Sequence, residues 1–427
     1  MKALKKYRWP LTGALLGVLV FLAVYGVRVL DPTSVDWILN SLSPDPIQHY
    51  LGWELFRRSP VHLPYIGANY NAVYPFRTSV LFTDSLPLAA LFFKLLGGIL
   101  PTRFQYFGWW GLLCYALQGG LAQAVIARIA GVQPTFGRDD KSKAAIIMSP
   151  GQTAKLWGSV LGAGVLVLFP ALTIRMFAHT ALAANWLVLL ALYLWLRSDE
   201  LMPTTRRACL IWGGMGLLCA GIHLYYLPMV GLVLVGYAVR RALQKRGFAA
   251  AMLPVAAFCV TALAELFLLG AFAVNFAGYS NGYLSGADVV NLFVPGIAAS
   301  WEQIVYAGLG TTLAVVLALV CAAVHFSKAK AFFAAHRDWL IAGVVVLVLD
   351  LIAAGGNTVT VAGHTLFTVP IPQFLMNFWA MFSSCARLAW LAGMLLAAVG
   401  CGLVLRFWDN GVAPALMLAV CAVAQGW

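Results

Sequence analysis

The residues best suited to chemistry are gathered in one polar stretch, Ser43-Pro-Asp-Pro-Ile-Gln-His-Tyr-Leu-Gly-Trp-Glu-Leu-Phe-Arg-Arg58. Asp45 stands between Pro44 and Pro46, which disfavour a regular helical start and hold it in an extended turn. A helix that begins just beyond it brings Gln48, His49 and Glu54 within two turns of the carboxylate. A carboxylate so placed can take the proton of an attacking hydroxyl, the general-base role. The competing reading is a plain helix cap. His179 and His223 stand at the ends of apolar runs, where a neutral imidazole can contact phosphate or handle a proton at less cost than a buried charge. A structural role is the alternative for each, His49 included. The chain contains no H-x-x-x-H pair, so a tight zinc site is not expected.

Further along, Glu302 follows the Pro295-Gly296 turn and precedes an apolar run. It can bind sugar hydroxyls, support a metal or face water at a helix start. Arg387 sits just before another apolar run, as a partner for an anion or as an anchor that snorkels to the interface. Asp350 and Glu265 lie inside apolar runs. An ionisable group there costs about 2.5 to 3.5 kcal/mol on insertion scales, so each should face protein, a wet cavity or the interface.

The elements that must hold these residues are membrane elements. Of 427 residues, 62% are hydrophobic and only 10% charged, and the mean hydropathy is +0.86. Soluble globular domains do not reach that balance, whereas lipid accepts apolar faces on every side of a helix. The net charge of +13 does not point to nucleic acid. The basic residues form short clusters between apolar runs: Lys2, Lys5, Lys6 and Arg8; Arg138, Lys141 and Lys143; Arg206 and Arg207; Arg240 to Arg246; Lys328 to Arg337. Basic residues near span ends mark cytoplasmic loops. The eight cysteines lie almost all in apolar stretches with no C-x-x-C pair, and read as core residues.

A span needs roughly 20 apolar residues. Candidates lie near 11–30, 81–100, 105–127, 156–176, 180–197, 209–238, 248–272, 306–325, 339–354, 386–407 and 412–427. The first reads as a retained signal anchor. Run 209–238 crosses twice if it breaks around Gly221, His223 and Pro228. The non-basic segments 31–80, 273–305 and 355–385 then share the outer side. Trp37, Trp53, Tyr65, Tyr70, Tyr74, Trp301 and Tyr306 in these segments suit an interfacial belt or sugar stacking. If both 81–100 and 105–127 cross, the basic loop at Arg138 falls outside, against the charge rule, so one of the two is re-entrant or the loop breaks the rule. The expected fold is all-α and polytopic, a single domain over 1–427 of about 10 to 12 transmembrane helices with amphipathic helices in the first outer loop. No soluble C-terminal domain is expected.

An Asp in the first outer loop, directly after a signal anchor and ahead of amphipathic helices, resembles the GT-C superfamily of membrane glycosyltransferases. Asp45-Pro-Ile-Gln-His-Tyr-Leu-Gly-Trp, Tyr74-Pro, Phe82-Thr-Asp-Ser-Leu-Pro87, His179-Thr-Ala-Leu, Gly278-Tyr-Ser-Asn-Gly-Tyr, Trp301-Glu-Gln-Ile-Val-Tyr-Ala-Gly-Leu-Gly310 and Gly363-His-Thr-Leu-Phe-Thr-Val-Pro370 together resemble an uncharacterised bacterial family within it. The order of these pieces, over nearly the whole chain, carries the resemblance.

The resemblance implies transfer of a sugar from a polyprenyl-phosphate carrier to a glycan, lipid or protein acceptor on the outer side of the bacterial cytoplasmic membrane. It puts Asp45 in the place of the loop carboxylate that acts as base or organises a divalent cation such as Mg or Mn, with Glu302 as a second donor. Arg387 becomes the first candidate to stabilise the leaving phosphate. Where that family often has Ser-Gly-Arg followed by aromatic-Trp-Pro, this chain has Cys-Ala-Arg and then Leu-Ala-Trp. Two other readings stand beside the enzyme. One is a flippase of lipid-linked sugars, against which weigh the absence of an internal repeat and the concentration of polar residues in outer loops. The other is a non-catalytic scaffold that shares the fold.

Overall fold

The computed structural model of the protein describes residues 2–132, 149–274, 285–296, 301–379 and 382–426. The basic loop at Arg138, Lys141 and Lys143 and the Gly278–Tyr283 motif lie outside the described residues, as do the side chains of residues 1–8 and of Trp301.

The described chain is all-α apart from two short antiparallel pairs, Ala68–Asn69 with Thr78–Ser79 and Thr358–Val361 with His364–Thr368. Four helices are long and apolar enough to cross a membrane: Phe107–Ala130, Tyr226–Leu243, Phe248–Leu268 and Cys385–Phe407. Leu309–Val324 and Phe326–Ala335 together make a fifth, bent by 104°. Among the described residues these are fewer than the 10 to 12 spans expected, since several apolar runs are divided or carry charge. Thr180–Leu196 and Val412–Gln425 are apolar but short, and helix Lys2–Tyr25 is apolar from Trp9 onward. Arg337–Ala354 carries Arg337, Asp338 and Asp350. Run 81–100 yields only the nine-residue helix Pro87–Leu95, about 14 Å long against a hydrocarbon core of about 30 Å. It is too short to cross, so of the two runs only the second, as Phe107–Ala130, forms a helix of spanning length. Run 209–238 does divide, into Thr205–Ile222 and Tyr226–Leu243, with the break at His223–Tyr225.

Helix Lys2–Tyr25 lies directly against Phe107–Ala130, and glycines permit the approach. A Cβ on Gly17 would sit 1.9 Å from the Tyr115 carbonyl oxygen, and one on Gly119 2.1 Å from that of Gly13. Small residues four apart on one helix are the usual means of close helix contact in lipid.

The connections gather at two ends. At one end Gln105 Nε2 donates to Val29 O at 2.9 Å, Trp109 Nε1 to Leu30 O at 2.9 Å and Trp110 Nε1 to Thr180 O at 3.1 Å. At the other end the charges are paired: Arg240 holds Asp199 at 2.6 Å and Asp338 at 2.9 Å, Arg241 holds Asp199 at 2.7 Å, Arg128 holds Glu200 at 2.7 Å and Lys328 holds Asp409. Helix Tyr226–Leu243 links the two, with His223 and Tyr225 just before its start and Arg240 and Arg241 in its last turn. Asp350 is wholly buried and accepts a hydrogen bond from the Ala392 amide at 2.9 Å, so it faces protein. All eight cysteines are free, and six of them are buried.

Candidate functional site

Six segments of the chain at the first end converge on one polar centre. Helix Pro44–Arg58 supplies Asp45 and His49. It starts a residue earlier than the prolines suggest: Ser43 caps it, with Pro44 in the first position and Asp45 in the first turn. Amides of the first turn have no intrahelical partner, so prolines there cost no hydrogen bond, and Asp45 is helical rather than extended. His49, one turn on, is 2% exposed.

The stretch Thr83–Leu86 supplies Asp84, and the chain holds it in an unfavoured shape. Asp84 and Leu86 both have positive φ, 50° and 56°, which costs a non-glycine residue about 1 to 3 kcal/mol and persists only where surroundings enforce it. They do so here. Ser85 Oγ donates to His49 O at 2.7 Å and contacts Thr83 Oγ1 at 2.8 Å, and Tyr106 Oη donates to Ser85 O. Gly52 on the facing helix leaves room for Thr83, whose Cβ would lie 2.5 Å from a Cβ at Gly52.

Three imidazoles surround the Asp84 carboxylate. His223 Nε2 lies 3.2 Å from Oδ1, His49 Nε2 3.6 Å from Oδ2 and His179 Nδ1 3.7 Å from Oδ2. His223 Nδ1 accepts from the Tyr225 amide at 3.2 Å, so its proton sits on Nε2 and points at Asp84. His179 turns its other nitrogen, Nε2, to Asp45 Oδ2 at 3.5 Å. Burial pushes the Asp84 carboxyl up, but electrostatic attraction to His223 and contacts with His179, His223 and His49 outweigh it and hold the group well below the usual carboxylate range.

Beside this lies a second cluster. Glu302 Oε2 meets Arg387 at 2.6 Å (Nη2) and 2.8 Å (Nε), and Arg175 Nη2 at 3.6 Å. Both arginines are nearly buried, at 2% and 8% exposure for Arg175 and Arg387. Burial raises the Glu302 carboxyl, Arg387 and then Arg175 lower it further, and the net direction is down. Burial, and next the charge of Arg387, lower the Arg175 guanidinium to about 10, while Glu302 and Asp45 act to raise it. Arg387 also lies over the Tyr225 ring at 4.9 Å, and that ring stacks on His223. The two clusters are therefore one electrostatic unit. The altered sequence around Arg387 forms a buried 3-10 turn, Cys385–Ala389, that runs straight into the helix from Trp390.

Of the residues expected from sequence, Asp45, His49, His179, His223, Glu302 and Arg387 come together here. Glu54 does not: it pairs with Arg57 and Arg58 on its own helix. Gln48 is exposed and bonds to no member of the group. Trp53 is fully buried, its Nε1 donating to Phe104 O at 3.0 Å, which makes it core rather than a stacking surface. The expected cation pair of Asp45 and Glu302 is not the donor group that forms. Glu302 gives Oε2 to two guanidiniums, and the described donors that converge are His49, Asp84 and His179, all within 4.8 Å of one another. Sequence reasoning missed Asp84 and Arg175. The first stood in a motif already noted, Phe82 to Pro87; the second was hidden as the last charge of an apolar run.

No curated protein and no solved structure matches the chain. The model of one family, a domain of unknown function (DUF6311), matches residues 14–427, and the chain belongs to that family.

Proposed function

We propose that the protein is a membrane glycosyltransferase that moves a sugar from a polyprenyl-phosphate carrier to an acceptor hydroxyl on the outer face of a bacterial cytoplasmic membrane. The observation that carries this reading is the meeting of an open carboxylate, backed by an imidazole, with two arginines that share a single glutamate. The acceptor hydroxyl gives its proton to Asp45, whose side chain is 35% exposed and whose Oδ2 faces His179. The freed oxygen attacks the anomeric carbon, and the bond to the carrier phosphate breaks with its electron pair on the phosphate. Arg175 and Arg387 set two guanidiniums around Glu302, where they can meet the negative charge that develops on the leaving phosphate. The paired basic residues lie at the opposite end of the bundle, and basic ends face the cytoplasm; this supports an outward site. Concentration of the polar groups at one end, rather than at mid-bundle, favours transfer over transport.

The test uses purified protein with a radiolabelled polyprenyl-phosphate sugar, scored for labelled acceptor and released carrier phosphate. Asp45→Asn should lower turnover by about 10²- to 10⁴-fold, the usual worth of a positioned base, with the protein still folded. Full activity in Asp45→Asn removes the base assignment. Movement of carrier across vesicles without turnover by wild-type protein replaces the enzyme with a flippase.

A further inference from the structure

We propose that His49, Asp84 and His179 form a binding site for one divalent transition-metal ion of the zinc class, with Asp45 and His223 as positioning residues. The inference concerns the ion alone and stands or falls separately from the transfer reaction.

The first argument is distance. Asp84 Oδ2 is 3.6 Å from His49 Nε2 and 3.7 Å from His179 Nδ1, beyond hydrogen-bond range. These atoms face each other across a gap. Ligands on a tetrahedral zinc, each about 2.0 to 2.1 Å from the metal, stand about 3.3 Å apart. The two spacings to Asp84 are a few tenths of an ångström wider, and all three donor atoms lie within 4.8 Å of one another, a separation that side-chain adjustment can close.

The second argument is proton bookkeeping. A neutral imidazole has one N–H and one lone pair, yet His179 turns both nitrogens to carboxylates, Asp84 at one side and Asp45 at the other. One carboxylate therefore meets a lone pair. A cation between His179 Nδ1 and Asp84 removes that conflict: the lone pair ligates, and Nε2–H is left to donate to Asp45. A carboxylate behind a ligating histidine is the arrangement that fixes ring orientation at metal sites. His223 does the equivalent for Asp84, donating to Oδ1 and leaving Oδ2 for the ion.

The third argument is His49. It is 2% exposed, its Nε2 points into the gap, and its Nδ1 has no hydrogen-bond partner among the described residues. A metal bond to Nε2 supplies an interaction that the 3.6 Å separation from Asp84 does not, and it sets the proton on Nδ1. Two imidazoles and one carboxylate favour zinc and its neighbours over magnesium or calcium, which prefer all-oxygen sites. Three protein ligands leave a position open to solvent or substrate, as in catalytic rather than structural sites.

The test uses full-length protein in detergent, stripped with a chelator and then given zinc or cobalt(II) alone. Expected are one zinc per chain by elemental analysis, a rise in the thermal midpoint on adding zinc but not magnesium, and visible cobalt absorption of tetrahedral strength. Asp84→Asn and His179→Gln should each weaken zinc binding at least tenfold, while His364→Gln, on an exposed hairpin, should bind as wild type. The cobalt spectrum needs no variant, so the proposal stays testable if a substitution prevents folding. Failure of the stripped wild type to take up stoichiometric zinc overturns it, and points to a second proton on His179 as what satisfies both carboxylates. Equal zinc binding by a folded Asp84→Asn protein overturns the assignment of ligands.

Discussion

The shared glutamate makes an unequal pair of substitutions. Glu302→Gln keeps the shape and removes the charge, leaving Arg175 and Arg387 facing each other without the carboxylate between them. At an effective dielectric of about 20, charge centres about 4 Å apart attract by about 4 kcal/mol, and at about 5 Å by about 3 kcal/mol. Both attractions are lost in Glu302→Gln, while the repulsion between the guanidiniums, about 3 kcal/mol if they stand about 6 Å apart, stays. Part of the loss is returned, because a partly buried carboxylate no longer has to be desolvated, and with Glu302 30% exposed the expected net cost is about 3 kcal/mol, the low end for broken buried pairs. Arg387→Gln differs. It loses the attraction at 2.6 Å but also the repulsion, and Glu302 keeps Arg175 at 3.6 Å, so the net cost should be roughly 1 to 2 kcal/mol.

The sharper consequence lies in the double substitution. Once Glu302 is neutral, removing Arg387 relieves repulsion, so Glu302→Gln with Arg387→Gln should be more stable than Glu302→Gln alone. Thermal midpoints in detergent and reversible unfolding in mixed micelles give the three values relative to wild type. Glu302→Gln should be lowest, the double variant between, and Arg387→Gln nearest to wild type. Arg387→Gln costing as much as Glu302→Gln, or simple additivity of the two, would refute the picture of one carboxylate shared by two cations.

Two further outcomes follow from the same packing and charge. Asp84 has a folded-state carboxyl well below its ordinary value, so its contribution to stability is present above the unfolded value of about 3.9 and is lost as pH falls below it; the thermal midpoint of wild type should drop between about pH 5 and pH 3 more steeply than that of Asp84→Asn, and parallel curves would exclude the effect. Gly17→Val should separate helix Lys2–Tyr25 from Phe107–Ala130 at a cost of about 1 to 3 kcal/mol or more, whereas Gly214→Ala, where a Cβ meets nothing within 4 Å, should be neutral; equal effects of the two would remove the close contact.

Much of the helical layout was legible because apolar runs in lipid leave few alternatives. The break within Gly221–Pro228 could be read from sequence, as a local cost that few arrangements offset; Asp350 could not, since protein, a wet cavity or the interface would each relieve its cost, and its full burial against Ala392 overturns the expectation that it reaches the interface. Run 81–100 could not be read so well. Its composition suits a span, but Leu86 and Pro87 delay the helix start to Pro87, and Gly97 and Gly98 follow its end; nine residues remain, and hydropathy averaging does not register where a helix is capped.

The site divides along a physical line. Asp45, His49, Glu302 and Arg387 stand out because each is a polar residue next to an apolar run, an expense that invites a partner. Asp84 carries no such signal: it sits in a short turn of the kind Asp and Ser commonly occupy, and its importance comes from three histidines brought to it from residues 49, 179 and 223. Arg175 is similar, since the carboxylate that justifies burying it lies at residue 302. Sequence exposes the cost of a buried polar group but not which distant residue offsets it. For this chain the partners decide the chemistry. Asp45 without His179 behind it is a capped helix start, and Arg387 without Arg175 is an interfacial anchor whose charge Glu302 cancels. Only the pairings bring a partly exposed carboxylate and two guanidiniums to the same end of the bundle.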